Sequence, residues 1–486
     1  MNTKNKVTFI IVYIVLSISI FILGFGTQIW LDESFSILMT NHTLDEIIHF
    51  TTTDVHPPLY YFILKLFVFV AGNSMMVFRI ASIIPFLAMI LIVGLFTSKE
   101  INPKAGILSM VIVCAAPSIL IYSTEIRMYS YCQLFIVCSA IIAYKLARKD
   151  SNVLWILFCI VNALAAYTHY FAGMAVIIIS LYLIVNIIIT KTDVKKRSVK
   201  WLITNVGTVV LYIPWLTVFI SQLESVKEDY WIEAFTFSDL GEYAQFVFGE
   251  FPGVFAIIYA LIVCVAFVLL IVKRQKIKTY RFALLNLVVF LGYILGGVML
   301  SIIITPVFIQ RYITVVLPCL WLFVIFTFLG DDNNKLYIAT AIIGVLLFSY
   351  NYYGEFKWKF IDKNSTLYDS IKSEINKEDI IYHDNAHSLA IMSVYMPDQK
   401  AIITEKSIEK EKFKEWDKLS PNIELQKDVN IPDVKTVWVA LDNEDTSILN
   451  YLKSKGYKTE ELGEKILPAY KDLKPFMLYK CYYPNQ

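Results

Sequence analysis

The sequence predicts a polytopic α-helical membrane protein with a soluble α/β domain at its C-terminus. Its composition, the spacing of its apolar runs and an abrupt change of character after Tyr350 all point that way. Hydrophobic residues make up 57% of the 486 positions and charged ones 17%, with a mean hydropathy of +0.59. A soluble domain carries about 25% charged residues to cover its surface. Tyr and Phe number 30 and 33, as expected of a chain that crosses many membrane–water boundaries. A net charge of +2 gives no reason to expect nucleic acid as a partner.

A hydrocarbon core about 30 Å thick needs about 20 apolar residues at helical rise. By that measure eleven spans fall near 7–27, 77–97, 104–122, 128–146, 152–168, 171–189, 201–221, 253–272, 282–304, 314–330 and 335–350. Val7–Phe25 follows Lys4 and Lys6 like a secretory signal, but it is long enough to span and no small-residue cleavage site closes it. The run Leu59–Val70 is short and carries Lys65, so it reads as an interfacial or re-entrant helix.

Charge sets the orientation. With the N-terminus inside, one side receives Lys4, Lys6, Lys99, Lys104, Lys145, Arg148 and Lys149. The clusters Lys191, Lys195, Lys196, Arg197, Lys200 and Lys273, Arg274, Lys276, Lys278, Arg281 fall on that side too. The other side keeps Lys65, Arg79, Arg127, Lys227 and Arg311. Cytoplasmic loops are the Lys/Arg-rich ones. The sequence therefore predicts a multi-pass cell-membrane protein with a cytoplasmic N-terminus. A transmembrane domain would cover 1–350, its first outer loop 28–76, and an extracytoplasmic domain 355–486.

The tail alternates apolar strands, such as Ile380–Tyr382 and Val437–Ala440, with helical segments such as Ser447–Lys455, which Gly456 stops. That is the pattern of a small α/β domain. Six cysteines lie in apolar runs, where they read as small buried hydrophobes. Only Cys481 lies in the tail, and no Cys/His cluster has zinc spacing. There is no internal repeat.

The compact polar groups near helix ends all fall on the outer face. They are Asp32-Glu33, Asp45-Glu46, Asp54-Val55-His56-Pro57-Pro58, the turn Tyr122–Tyr129 with Glu125 and Arg127, His169-Tyr170, and Gln310-Arg311-Tyr312. Each has a plainer reading. Asp32-Glu33 can end a helix and 54–58 can be a turn before a helix. Glu125 and Arg127 can form a weak interfacial ion pair, His169 can be a satisfied interfacial histidine, and Arg311 a snorkelling anchor. Their coincidence on a face poor in cations points to a site, and no charge sits at mid-depth in a span.

This order of motifs resembles the GT-C superfamily of polyprenyl-phosphate-sugar glycosyltransferases, in the bacterial branch of protein O-mannosyltransferases and aminoarabinose transferases. The resemblance rests on an Asp-Glu pair after the first helix and Asp-x-His-Pro-Pro-Leu-Tyr-Tyr leading a short helix. Arg79-x-x-Ser82, Tyr-Ser-x-Glu-x-Arg-x-Tyr and a late Gln-Arg-Tyr follow. It covers about residues 1–350. It implies sugar transfer from a polyprenyl-phosphate donor to an acceptor that is a protein, a polymer or a glycolipid, with inversion at the sugar carbon. By the same resemblance Asp32 is the general base and Glu33 orients acceptor or sugar. Arg311, then Arg127, takes the leaving phosphate, Glu125 fixes Arg127, and His56 and His169 touch sugar or phosphate. Asp54, Tyr170 and Tyr312 complete the binding set.

The branch implies no metal cofactor, although some GT-C members use a divalent metal and Asp32, Asp54 and Glu125 are carboxylates able to hold one. Two other functions compete. A flippase of lipid-linked sugars would show repeats, broken helices and mid-depth polar residues. A non-catalytic scaffold would have no need of the Asp32-Glu33 pair.

Overall fold

The computed structural model describes residues 2–26, 28–228, 232–249, 253–274, 277, 279–330, 334–361, 367–409, 413–442, 446–469 and 472–483. Lys276 and Lys278 of the second basic cluster lie outside the described residues. The chain divides into two compact units, Met1–Gly26 with Val55–Lys359, and Thr27–Asp54 with Phe360–Gln486.

Helices run in the order α1 Thr3–Phe25, α2 Leu31–Met39, α3 Leu44–Thr53, α4 Leu59–Ala71, α5 Met75–Glu100, α6 Pro103–Cys114 and α7 Pro117–Tyr122. Next come α8 Tyr129–Arg148, α9 Asn152–Thr168, α10 Tyr170–Thr190, α11 Val194–Glu228, α12 Asp239–Phe248, α13 Val254–Val272 and α14 Tyr280–Ile303. The 3₁₀ segment Gln310–Val315 leads into α15 Leu317–Phe328, and α16 Asn334–Phe356 ends in a π-helical turn, Lys357–Ile361. The tail adds α17 Leu367–Ile371, α18 Ala386–Tyr395, α19 Trp416–Leu419 and α20 Ser447–Ser454.

Among the described residues eight helices are long and apolar enough to cross a membrane, namely α1, α5, α8, α10, α11, α13, α14 and α16. Val206, Val209, Val210 and Ile213 on α11, and Leu261, Val265, Val268 and Ile271 on α13, are exposed. A continuous apolar face of that size is untenable against water and natural against lipid. The chain is a multi-pass membrane protein.

The other three of the eleven expected spans are carried by helices of 17 residues or fewer. The run 104–122 breaks at Ala115-Ala116. Pro117 forces the residue before it out of the helical region, and Ala116 is extended at φ −67°, ψ 134°. The freed Ala115 carbonyl accepts from the Tyr259 hydroxyl and from Asn351 Nδ2 at 2.6 Å. Such repair by neighbouring helices is how backbone irregularity survives at membrane depth. The run 314–330 splits into the 3₁₀ segment and the 12-residue α15, and α9 has 17 residues. The short run at 59–70 forms the 13-residue α4, stopped by Gly72 at φ +90°. At helical rise that is about 20 Å, less than a bilayer core.

In the second unit six strands form one sheet in the order β3-β2-β1-β4-β6-β5. They are β1 Ile380–His383, β2 Lys400–Thr404, β3 Ile423–Gln426, β4 Thr436–Leu441, β5 Lys458–Ala469 and β6 Asp472–Tyr482. The first four run parallel and β6 turns antiparallel against β4 and β5. Strand β1 is buried at every position, as parallel strands covered on both faces must be. Ile380, Ile402, Val437, Val439, Ile448 and Leu452 form part of the core between β-strands and α20. Gly456, at φ +93°, ends α20 in the left-handed conformation that glycine reaches without strain.

Helices α2 and α3 belong to this unit, and α2 packs on α18. In α3, Thr43 Oγ1 accepts the Glu46 N–H at 3.3 Å, while the Glu46 carboxylate accepts the Thr43 N–H at 2.8 Å. That reciprocal cap gives Glu46 a structural role.

Candidate active site

Seven of the ten residues singled out in the sequence lie in the membrane unit. Three turns bring most of them together. Pro57 and Pro58 keep the residues before them, His56 and Pro57, out of the helical region, so α4 begins only at Leu59 and His56 stays on the loop before it. The turn 123–128 joins α7 to α8 and carries Glu125 and Arg127. His169 is extended between α9 and α10 at φ −160°, ψ 137°, and the 3₁₀ segment presents Arg311 and Tyr312.

Arg127 is buried; its Nη2 donates to His56 Nε2 at 3.3 Å and its Nη1 to the Tyr61 hydroxyl at 3.4 Å. The His56 and His169 rings meet edge-to-face at 5.9 Å, and His169 meets Tyr312 the same way at 5.0 Å. The Arg311 guanidinium lies over the Tyr312 ring at 5.9 Å. His169 Nδ1 accepts the Phe171 N–H at 3.2 Å and so caps α10. That bond leaves the proton on Nε2, as a donor. Burial pushes the His169 imidazole well below its ordinary range, and His56, Arg127 and Arg311 push it the same way. His169 is therefore a neutral donor amid positive charge.

A cavity of about 500 Å³ shares its wall with this cluster. His56, His169, Tyr170, Gln222 and Tyr312 supply polar lining. Met174, Ile177, Val209, Leu216, Phe219 and Leu300 are among its many apolar residues. The Tyr170 hydroxyl donates to Gln222 Oε1 and accepts from Trp215 Nε1 at 3.0 Å. Glu125 is buried on the same turn as Arg127.

Asp32, Glu33 and Asp54 lie in the other unit. Asp32 is in the first turn of α2, half-buried, at the positive end of the helix dipole. Glu33 is fully buried, and its carboxylate accepts the Trp30 N–H at 3.3 Å. Asp54 ends α3, its N–H donating to Phe50 O at 3.0 Å, and closes the first of the two segments of its unit. Among the described residues no three His, Cys, Asp or Glu side chains gather closely enough to hold a metal.

Sequence reasoning missed two buried cations that fix the turn 123–128. Arg79 Nη1 donates to Thr124 O at 2.7 Å. Lys359 Nζ donates to Thr124 Oγ1 at 3.0 Å and to Leu23 O at 3.3 Å. Arg79 stood within a quoted motif without a role. Lys359 follows the last apolar run among many charged residues, and nothing in the pattern distinguishes it from them.

Residues 55–217 match the family model described as dolichyl-phosphate-mannose-protein mannosyltransferase. No curated protein matches the chain in sequence. In structure it resembles ArnT from Cupriavidus metallidurans in the apo state, at 10% identity and a TM-score of 0.63, over 98% of this chain and 98% of that one. ArnT from the same organism bound to undecaprenyl phosphate matches at 11% identity and a TM-score of 0.65, over 99% of this chain and 98% of that one. At such low identity the ArnT structures speak to the fold alone. The chain therefore has the fold of those ArnT structures, and about a third of it, residues 55–217, is similar to a family of lipid-phosphate-sugar-dependent mannosyltransferases.

Proposed function

We propose that this protein is a glycosyltransferase that moves a sugar from a polyprenyl-phosphate donor to an acceptor on the outer face of the membrane, with inversion at the sugar carbon. The observation that carries the reading is the pairing of a cationic, histidine-rich cluster with an apolar cavity. Arg127, Arg311 and the His169 donor suit a phosphate, and the apolar wall suits a hydrocarbon chain. An ArnT structure that contains undecaprenyl phosphate supports a lipid of that class.

In this reading Asp32 takes the proton from an acceptor hydroxyl as its oxygen attacks the anomeric carbon. The bond from that carbon to the phosphate oxygen breaks, and the polyprenyl phosphate leaves with the electron pair. Attack opposite the leaving group inverts the centre. Arg311, with Arg127, meets the charge that develops on the phosphate. Asp54 and Glu33 shape the acceptor side, and Tyr170 and Tyr312 flank the donor.

The test is transfer by purified protein from a panel of radiolabelled polyprenyl-phosphate sugars, with a cell-envelope extract as acceptor source. Label should leave the lipid phase with one class of donor. No transfer from any donor, with lipid-linked sugar instead crossing reconstituted vesicles, would favour a flippase and sink the reading.

The outer-face assignment has its own test. A cysteine at Asn41, or at Asn443, which lies outside the described residues, should react with an impermeant thiol reagent on intact cells. One at Thr192 should not, and labelling there alone reverses the orientation.

A further inference from the structure

The helix that carries Asp32 folds with the tail although more than three hundred residues separate them in sequence. We infer that the C-terminal α/β domain is the positioning element for the Asp32 carboxylate, acting through Tyr395, Phe413 and Trp416. The inference rests on Asp32 being the general base.

A helix of nine residues has no stability of its own in water. Its place is set by what it packs on. The chain entering α2 is pinned twice. The Ile29 N–H donates to the Tyr395 hydroxyl at 3.2 Å, two residues before α2 begins, and Gln28 Nε2 donates to Asp369 Oδ2 at 3.5 Å. The Tyr395 ring is itself stacked on Tyr368 at 4.8 Å, which fixes where its hydroxyl stands.

The body of α2 is held by rings. Phe35, one turn beyond Asp32, meets Phe413 edge-on at 5.0 Å and Trp416 at 6.1 Å, and Phe413 and Trp416 meet each other at 5.2 Å. All three are buried. The chain leaving α2 is held as well. His42 Nε2 bonds Leu419 O at 2.8 Å, His49 Nε2 bonds Glu415 Oε2 at 2.9 Å, and Phe50 packs on Phe413 at 6.0 Å.

Asp32 thus stands on a short helix clamped before, along and after its length by one domain. Misplacing a catalytic group by about 1 Å costs about 10²-fold in rate. Loosening the clamp should therefore lower turnover and leave donor affinity alone, because the donor cluster lies in the other unit.

The experiment uses the full-length protein in detergent and the radiolabelled undecaprenyl-phosphate sugar that supports transfer. Four variants are compared with the wild type: Tyr395→Phe, Trp416→Ala, Trp416→Phe and Asp32→Asn. Tyr395→Phe keeps the ring stack and removes one acceptor, so kcat should fall about threefold to tenfold, the worth of one hydrogen bond. Trp416→Ala should lower kcat about 10–100-fold with the donor KM unchanged, within the cost of misplacement. Trp416→Phe should restore most of it. Hydrogen exchange over 28–54 should rise in the same order as the losses, with exchange over β4, 436–441, unchanged.

If exchange over 28–54 rises and kcat does not fall, the domain does not position Asp32. If kcat and donor binding fall together in Tyr395→Phe, the effect is general and the inference is overturned. If Asp32→Asn is inactive and the other variants are fully active, only this inference falls. A fully active Asp32→Asn removes the base assignment and the inference with it.

Discussion

Asp32→Asn should lower kcat by about 10²–10⁴-fold, the usual worth of general base catalysis, with donor binding unchanged. The amide keeps the shape of the carboxylate and cannot take the acceptor proton. The neighbouring acid is no substitute. Glu33 is fully buried and its carboxylate is engaged by the Trp30 N–H at the start of α2. Glu33→Gln should therefore cost less than Asp32→Asn, and through the shape of the α2 entry. Single-turnover transfer at saturating donor measures both. Equal losses in the two variants would mean that the pair acts as a unit, and an active Asp32→Asn would remove the base from the mechanism.

Arg311→Ala should weaken donor binding and turnover together, because phosphate is present before, during and after transfer. Charge-assisted hydrogen bonds contribute about 1.5–3 kcal/mol each, so losing one weakens donor affinity by about 10–150-fold. The guanidinium stands over Tyr312, which in turn packs on His169. Removing it leaves the donor pocket with Arg127 and the neutral His169. Arg311→Lys should recover part of the binding, since an ammonium supplies charge but not the planar two-pronged grip. Equilibrium binding of a labelled donor, read beside kcat, separates the outcomes. A loss of kcat with full donor affinity would assign Arg311 to the transition state alone.

Much of this protein is legible in its sequence because lipid imposes a simple local rule. A run of about 20 apolar residues marks a helix long enough to span unless a proline breaks it, and the change of composition near 355 records the α/β domain. Strands at 380 and 437, and a helix closed by Gly456, are local patterns too, and they stand in the fold where the residues suggest. The break at Ala115-Ala116 was equally local, since Pro117 marks it, but the surrounding run is so apolar that the proline reads as one more interior residue. Long-range placement left no such trace. That residues 28–54 fold with the tail depends on contacts such as Phe35 with Phe413 and His42 with Leu419, which no periodicity records.

The site divides along the same line. His56, Arg127, His169 and Tyr312 were visible as polar residues at helix ends, and the membrane unit gathers them. Lys359 was not, because a lysine in a charged stretch carries no sign that it is buried against Thr124. The large apolar share of the cavity wall was hidden for a different reason. Leu216, Phe219 and Met174 sit in spans that are apolar almost throughout, so lining a cavity and facing lipid look alike in sequence.

The broken helix at Ala115 also bears on how the protein is made. Its open carbonyl is closed by Tyr259 and Asn351, which follow it by 144 and 236 residues. Neither exists when the ribosome has just finished α6 and α7, and Asn351 belongs to the last of the long apolar helices. Until both arrive, the nascent chain holds a bare backbone oxygen in or near the bilayer, where an unmet polar group costs several kcal/mol. Completion of this early segment therefore waits on α16, the last of the long apolar helices, which acts as the keystone of the bundle.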